Sequence, residues 1–216
     1  DRGYVVFNIN YRLVPDVTVN QQLQDVARAL RWIRDHGSQY PCDMRNIMLT
    51  GDSAGGQLAA YSAVLMQSAQ LRKTFDTVDP QMELTALLLT SPVAFMRDGG
   101  LFSLYTKPMW GTDYKDKATY PYMDFDQIID YARALPPTYL ITSSGDTLAN
   151  KQTHRLYEVL QAHGVQAEIK DYAKAEYNQS LPHVFSVLQP FEPAGTAAID
   201  KALAFYQQAM TAKAAQ

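Results

Sequence analysis

"NIMLTGDSAGGQLAAYSAVL", residues 46–65, sets an apolar run against Gly51-Asp52-Ser53-Ala54-Gly55-Gly56 and then resumes with helical character. A serine among glycines at the point where a strand gives way to a helix is either a tight turn without chemistry or a nucleophile held up for attack. Gly51–Gly55 fits the pattern G-x-S-x-G, and it does so in the strand–turn–helix context that gives the pattern its meaning. Such a serine sits on a sharp, strained turn so that its hydroxyl stands clear of the sheet. Side chains two residues before and after it are expected to collide, which accounts for glycine at both Gly51 and Gly55. The helix that follows aims its N-terminus at the serine, and the Ala54 N–H is placed to donate to a developing oxyanion.

A serine hydroxyl needs a base, and the base needs an orienting carboxylate. With a nucleophile at a strand-to-helix turn, the partners are expected later in the chain, acid first and then histidine. The acid belongs just beyond the C-terminal end of a later strand, the edge at which parallel sheets bind ligands. Asp146 stands there, after "TYLITSSG", and His183 follows the next strand in "LPHVF". The other histidines fit less well. His36 and His163 each end a helix and are followed by glycine, where a charge–dipole role suffices. His154 falls in the first turns of a helix and reads as a solvated surface residue.

Outward from this stretch the chain alternates strand and helix. Tyr4–Asn10 reads as a buried strand, rich in β-branched and aromatic residues. Thr18 opens a helix with Leu23, Val26, Ala27, Leu30 and Ile33 on one face. Thr18 and Gln21 have capping-box spacing, and Gly37 marks the stop. Asn46–Gly51 is the second strand and Ser53 to about Lys73 the second helix. Strands follow at residues 85–93, 136–146 and 165–172, the last an edge strand. A helix spans Asn150–His163, and Ile199, Leu203, Tyr206 and Met210 stripe a final one. The alternation predicts a mostly parallel sheet with helices on both faces. Residues 95–135 interrupt it, with little periodicity before Gln127–Ala134 and more length than an ordinary connection.

The 216 residues suit a single domain carrying residues 95–135 as an insertion. Hydrophobic residues make up 47% and charged residues 19%, enough for a sizeable core. A net charge of −3 without basic clusters argues against a nucleic-acid partner or an anionic membrane surface. Apolar runs fall short of a membrane span. Cys42 is the one cysteine, so neither an intrachain disulfide nor a cysteine-based zinc site is expected, and a cytoplasmic location fits. The opening "DRGYVVFNIN" lacks the features of a signal peptide.

With "VVFNINYRLVP", "DVARALRWIRDH", "NIMLTGDSAGGQLA", "LLLTSPV", "LPPTYLITSSGDTL" and "HVF", the chain resembles the α/β-hydrolase fold, and within it the hormone-sensitive-lipase-like esterases. "GDSAGG" after "YRL" carries most of that specificity. The resemblance implies a carboxylesterase for short acyl esters of small molecules, with Ser53, Asp146 and His183 as triad and no metal or organic cofactor. It implies a structural role for Asp25, and homodimer formation by family analogy alone. Family members also carry a glycine-rich "HGGG" stretch upstream of the "YRL" strand for the other half of the oxyanion hole, preceded by a central strand. Neither is found here, and the expectation is that these residues are the C-terminal portion of a longer protein. The aromatic insertion (Phe95, Phe102, Tyr105, Met109, Trp110, Tyr114, Tyr120, Tyr122 and Phe125) is expected to overhang the site as a lid, with Gly99, Gly100 and Gly111 as hinges. Two other functions use the same fold: a non-catalytic receptor or scaffold, and a peptidase or acyl transferase with the same triad. The trypsin-like "GDSGG" is a superficial match, because this chain has an extra alanine and lacks a suitable histidine and aspartate upstream of the serine.

Overall fold

A computed structural model of the chain describes residues 2–97 and 101–215. Along the chain the elements are α1 (Val19–His36), β1 (Met48–Asp52), α2 (Ser53–Leu65), α3 (Ala69–Phe75), β2 (Ala86–Thr90), α4 (Leu101–Trp110), β3 (Thr138–Ser143), α5 (Asn150–Ala162), β4 (Ala167–Tyr172), α6 (Lys174–Tyr177), α7 (Phe185–Leu188) and α8 (Pro193–Ala214). They gather into two compact units. One comprises Asp1–Ile47, Tyr61–Glu83 and Phe95–Arg133; the other comprises Met48–Ala60, Leu84–Ala94 and Ala134–Gln216.

The second unit is built on a four-stranded sheet in the order β1-β2-β3-β4, parallel throughout. Parallel strands need crossovers that cover both sheet faces, so their side chains are apolar on both sides. β3 is covered along its whole length, with every residue from Thr138 to Ser143 buried, and β2 nearly so. β1 is less covered and stands at one edge, with β4 at the other. The chain's order of apolar strands and striped helices therefore yields the parallel sheet read from the sequence, less its first expected strand.

α5 packs Leu156 and Leu160, both fully buried, which contributes roughly 2 kcal/mol each. α8 buries Tyr206 as expected, but the rest of its inward stripe differs from the one expected. Ala194, Ala198, Ala202, Phe205, Tyr206 and Ala209 face inward, while Ile199, Leu203 and Met210 flank them half-buried. Alanine methyls let the helix axis approach closely, so the small residues take the centre of the contact and the larger ones its margins. Phe205 then reaches Tyr139 of β3 with ring centroids 5.3 Å apart.

In the first unit, α1 has the expected start and stop. The Thr18 N–H donates to the Gln21 Oε1 at 2.9 Å, and the Gly37 N–H closes on the Ile33 carbonyl. The stretch expected as one helix from Ser53 to about Lys73 is two. Ser68 breaks it, because its hydroxyl accepts from the Leu71 N–H at 3.2 Å and caps a new helix, α3. Tyr4–Asn10, read as a buried strand, takes no regular secondary structure and joins no ladder among the described residues, and Val6 is 79% exposed. Its residues 5–10 instead line a groove of about 480 Å³ with Trp32 and Tyr40. A strand is defined by its partner as much as by its side chains, and here local sequence provides only the side chains.

Among its described residues the insertion contains α4 and four short 3-10 turns. Phe95, Trp110 and Phe125 are buried within the first unit, and Asp124 anchors the segment by accepting from the Met96 and Arg97 N–H groups at 2.7 and 3.0 Å. Burial is the larger influence on the Asp124 carboxyl and pushes its pKa up, with these donors pulling the other way. Gly99, Gly100 and the side chain of Phe102 lie outside the described residues.

Candidate active site

β1 ends at Asp52, and Ser53 turns the chain into α2 through the left-handed region, with φ 50°. A non-glycine residue there carries strain of order 1–3 kcal/mol. The turn is tight because Gly51 lies against the first turn of the helix. A Cβ on Gly51 would come within 2.2 Å of the Gly55 carbonyl oxygen and 2.8 Å of the Gly56 nitrogen. The collision expected at Gly55 is not found: a Cβ there meets nothing within 4 Å, because Gly55 faces open space. The second steric requirement falls one residue later, on Gly56, whose Cβ would sit 3.0 Å from the Pro92 Cβ. The elbow is thus held by Gly51 and Gly56.

The structure brings the three candidate residues together. The Ser53 hydroxyl lies 2.9 Å from His183 Nε2, and His183 Nδ1 lies 2.9 Å from Asp146 Oδ2. With Nδ1–H donating to the carboxylate, Nε2 is left as an acceptor facing the hydroxyl, which is the tautomer a general base requires. The Asp146 side chain is fully enclosed and that of His183 is 23% exposed, so the acid is shielded while the imidazole opens toward solvent. Ala54, exposed in the first turn of α2, has one of the backbone N–H groups that a helix N-terminus leaves without an internal partner.

Asp146 is held from several sides. Its Oδ1 accepts from the Leu148 and Ala149 N–H groups at 3.0 and 2.9 Å. The Ser91 side chain also hydrogen-bonds to the carboxylate. Burial pushes this carboxyl up, but the hydrogen bonds from His183, the Ala149 N–H and Ser91, with the charge of His183, outweigh it and hold the pKa below the usual range. The loop carrying His183 is tied to the same strand end. The Ser143 hydroxyl donates to the Leu181 carbonyl at 2.7 Å, and Gly145 lies so close that a Cβ would be 2.4 Å from that oxygen. Val184, next to the histidine, takes φ 51°, a costly conformation for a β-branched residue.

The remaining histidines are otherwise engaged. His36 Nδ1 meets the Trp32 carbonyl at 2.8 Å and its ring stacks on Trp32, while His163 Nδ1 meets the Val159 carbonyl at 2.7 Å. His154, expected as a solvated surface residue, pairs with Asp171 of β4 at 2.9 Å, and Asn150 donates to the same carboxylate oxygen at 3.0 Å. Asp25 forms a bidentate pair with Arg12, whose hydrogen bonds lower its pKa first and foremost. Sequence reasoning passed over Ser91, Gly145 and Gly56. The signals were a serine before a proline at a strand's C-terminal end, a Gly-Asp pair at the next strand end, and a second glycine in the elbow. Among the described residues, no group of three or more His, Cys, Asp or Glu is placed to hold a metal ion. Nor does any described helix have the length and apolarity to cross a membrane.

A parallel sheet whose strand ends bring a strained serine, a histidine and a buried aspartate into one hydrogen-bonded line is the arrangement of an α/β hydrolase. The chain belongs to the family described as alpha/beta hydrolase fold, whose sequence profile matches residues 1–181. It is 27% identical over 207 residues to a protein of Mycobacterium tuberculosis named "Probable carboxylic ester hydrolase LipM", covering 94% of this chain and 47% of that one. It is 25% identical over 185 residues to an acetyl esterase of Salmonella typhi, of which it covers 54%. Among solved structures it superimposes on esterase B from Lactobacillus rhamnosis with a TM-score of 0.87 and 29% identity, covering 95% of this chain and 66% of that one. The chain spans about half the length of the curated relatives it matches.

Proposed function

We propose that the chain carries the catalytic machinery of a serine carboxylesterase that hydrolyses short-chain acyl esters of small molecules. The observation that carries this reading is the continuous line from Ser53 Oγ through His183 to Asp146, with the serine in a left-handed turn at a helix N-terminus. Its relatives' names, a carboxylic ester hydrolase and esterases, support the substrate class.

In this mechanism Ser53 Oγ attacks the ester carbonyl carbon as His183 Nε2 takes its proton. Asp146 keeps Nδ1 protonated and stabilises the imidazolium that forms. The Ala54 N–H donates to the tetrahedral oxyanion, a kind of contact worth roughly 2.7–4 kcal/mol of transition-state stabilisation. His183 then gives the proton to the departing alcohol, leaving an acyl group on Ser53. Water, deprotonated by the same imidazole, attacks the acyl carbon, and the acid leaves as the proton returns to Ser53.

Hydrolysis of p-nitrophenyl acetate, butyrate and octanoate, with Ser53→Ala as control, tests the reading. Turnover of acetate and butyrate that disappears in Ser53→Ala is the expected result. Turnover that survives the alanine, or a folded protein that neither turns over these esters nor reacts at Ser53 with a fluorophosphonate, overturns it.

A further inference from the structure

The short segment leaving β2, Ser91-Pro92-Val93, touches both the nucleophile elbow and the end of β3 that leads to Asp146. The Ser91 N–H donates to the Ile141 carbonyl of β3 at 2.7 Å, and the Val93 N–H donates to the Ser53 carbonyl at 3.2 Å. Pro92 lies against Gly56 in the first turn of α2. The Ser91 side chain, in a residue only 1% exposed, hydrogen-bonds to Asp146. One three-residue bracket therefore links the elbow that raises the nucleophile to the strand end that carries the acid.

The bracket is built against local preference. Ser91 takes φ 46°. That region is unfavourable for a residue with a Cβ, and the following proline further restricts Ser91 toward extended backbone. Glycine would reach the same conformation at less cost. Glycine, however, has no hydroxyl. A buried serine in a conformation that favours glycine, with its one polar side-chain atom directed at a buried carboxylate, marks a position where the hydroxyl is needed more than conformational ease.

We propose that Ser91 is a positioning residue for the triad, whose hydroxyl fixes the Asp146 carboxylate and through it the orientation and basicity of His183. The proposal rests on the esterase reading for its kinetic consequence, but its structural consequence is independent of it. Asp146 accepts from Ser91, His183 and the Leu148 and Ala149 N–H groups, and His183 is the titratable partner among them. Removing the Ser91 donor leaves less of the carboxylate's charge shared elsewhere, so more of it acts on the imidazole. His183 then holds its proton to higher pH, and its ring is less firmly fixed.

Two substitutions separate positioning from packing. Ser91→Gly removes the hydroxyl and relieves the backbone; Ser91→Thr keeps the hydroxyl and adds a β-branch where it is least welcome. The proposal expects Ser91→Gly to melt no lower than wild type, yet to lose about tenfold in kcat on p-nitrophenyl butyrate with KM unchanged, as for loss of a hydrogen bond to a charged group. The acid limb of its kcat/KM profile moves to higher pH. Ser91→Thr melts lower but keeps the wild-type pH limb. Proton NMR of the downfield His183 Nδ1–H resonance supplies the independent readout: it shifts and titrates at higher pH in Ser91→Gly and returns in Ser91→Thr. A Ser91→Gly protein with wild-type kcat, pH limb and Nδ1–H resonance overturns the proposal. An inactive wild type whose Nδ1–H resonance still moves in Ser91→Gly supports the positioning role and removes the esterase reading instead.

Discussion

Adding one methyl group at Gly51 and, separately, at Gly55 puts the construction of the elbow to a direct test. The two glycines occupy symmetric places in G-x-S-x-G, so a reading of the pattern alone gives them equal weight. The geometry does not. A Cβ on Gly51 would lie 2.2 Å from the Gly55 carbonyl oxygen, 2.4 Å from its carbon and 2.8 Å from the Gly56 nitrogen. All three are backbone atoms in the first turn of α2, so relief requires moving the helix against the strand instead of rotating a side chain. Overpacking in tight sites costs about 1–3 kcal/mol, and a clash confined to backbone belongs at or above the top of that range, about 3 kcal/mol. For a chain of this size each kcal/mol lowers Tm by roughly 2–4 °C, so Gly51→Ala is expected to melt about 6–12 °C below wild type. Gly55→Ala meets nothing within 4 Å and replaces a glycine in a helical turn. It is expected to gain about 0.5 kcal/mol and to melt 1–2 °C higher. Thermal unfolding followed by circular dichroism measures both. If Gly55→Ala falls as far as Gly51→Ala, or Gly51→Ala melts within about 2 °C of wild type, the steric account of the elbow is wrong.

Three further expectations follow from the same geometry. Asp146→Asn places an amide against His183 Nδ1 and favours the wrong tautomer, so kcat on p-nitrophenyl butyrate should fall by about 10⁴-fold with the fold retained; a loss under tenfold would remove Asp146 from its orienting role. Because hydrogen bonds hold the Asp146 carboxyl below its usual value, its contribution to stability is fully present above the unfolded pKa near 3.9 and is lost as pH falls through the lower folded value. The urea midpoint of wild type should therefore drop below about pH 4 more steeply than that of Asp146→Asn, and parallel curves would contradict the assignment. Asp76 ends α3 in the left-handed region with φ 51°, so Asp76→Gly should raise stability by about 0.5–1 kcal/mol; a lower Tm would show that its side chain does more than tolerate the turn.

Much of the candidate site was legible because its residues announce themselves by local rules. A nucleophile elbow needs a strand, a strained residue and a helix in succession, all within residues 46–65. Asp146 and His183 were found by their places after later strands, since parallel strands present their C-terminal ends on one edge. The misses have local causes as well. Ser68 starts a separate helix, α3, where the apolar pattern runs on from α2, because a hydroxyl cap competes with helix continuation on nearly equal terms. Ala198 and Ala202 displaced Ile199 and Leu203 from the centre of the buried face of α8, because close approach to a sheet favours small residues and a hydrophobicity pattern does not register that.

Sequence by itself determined the class of fold and the chemical identity of the candidate reactive groups, because both depend on residue type and spacing along the chain. It also determined the order of elements, since apolar period and capping residues act over one or two helical turns. Only the tertiary structure decided which neighbours those groups have. Residues 5–10 have the composition of a strand but no ladder among the described residues, because pairing belongs to two segments and neither specifies it alone. Gly55 shares the motif with Gly51 yet faces open space, because steric need is set by what packs opposite. Ser91, marked in the sequence only by its place before a proline at a strand end, meets Asp146 because β2 and β3 lie side by side in the sheet and their ends converge, a contact between residues 55 positions apart that spacing along the chain does not reveal.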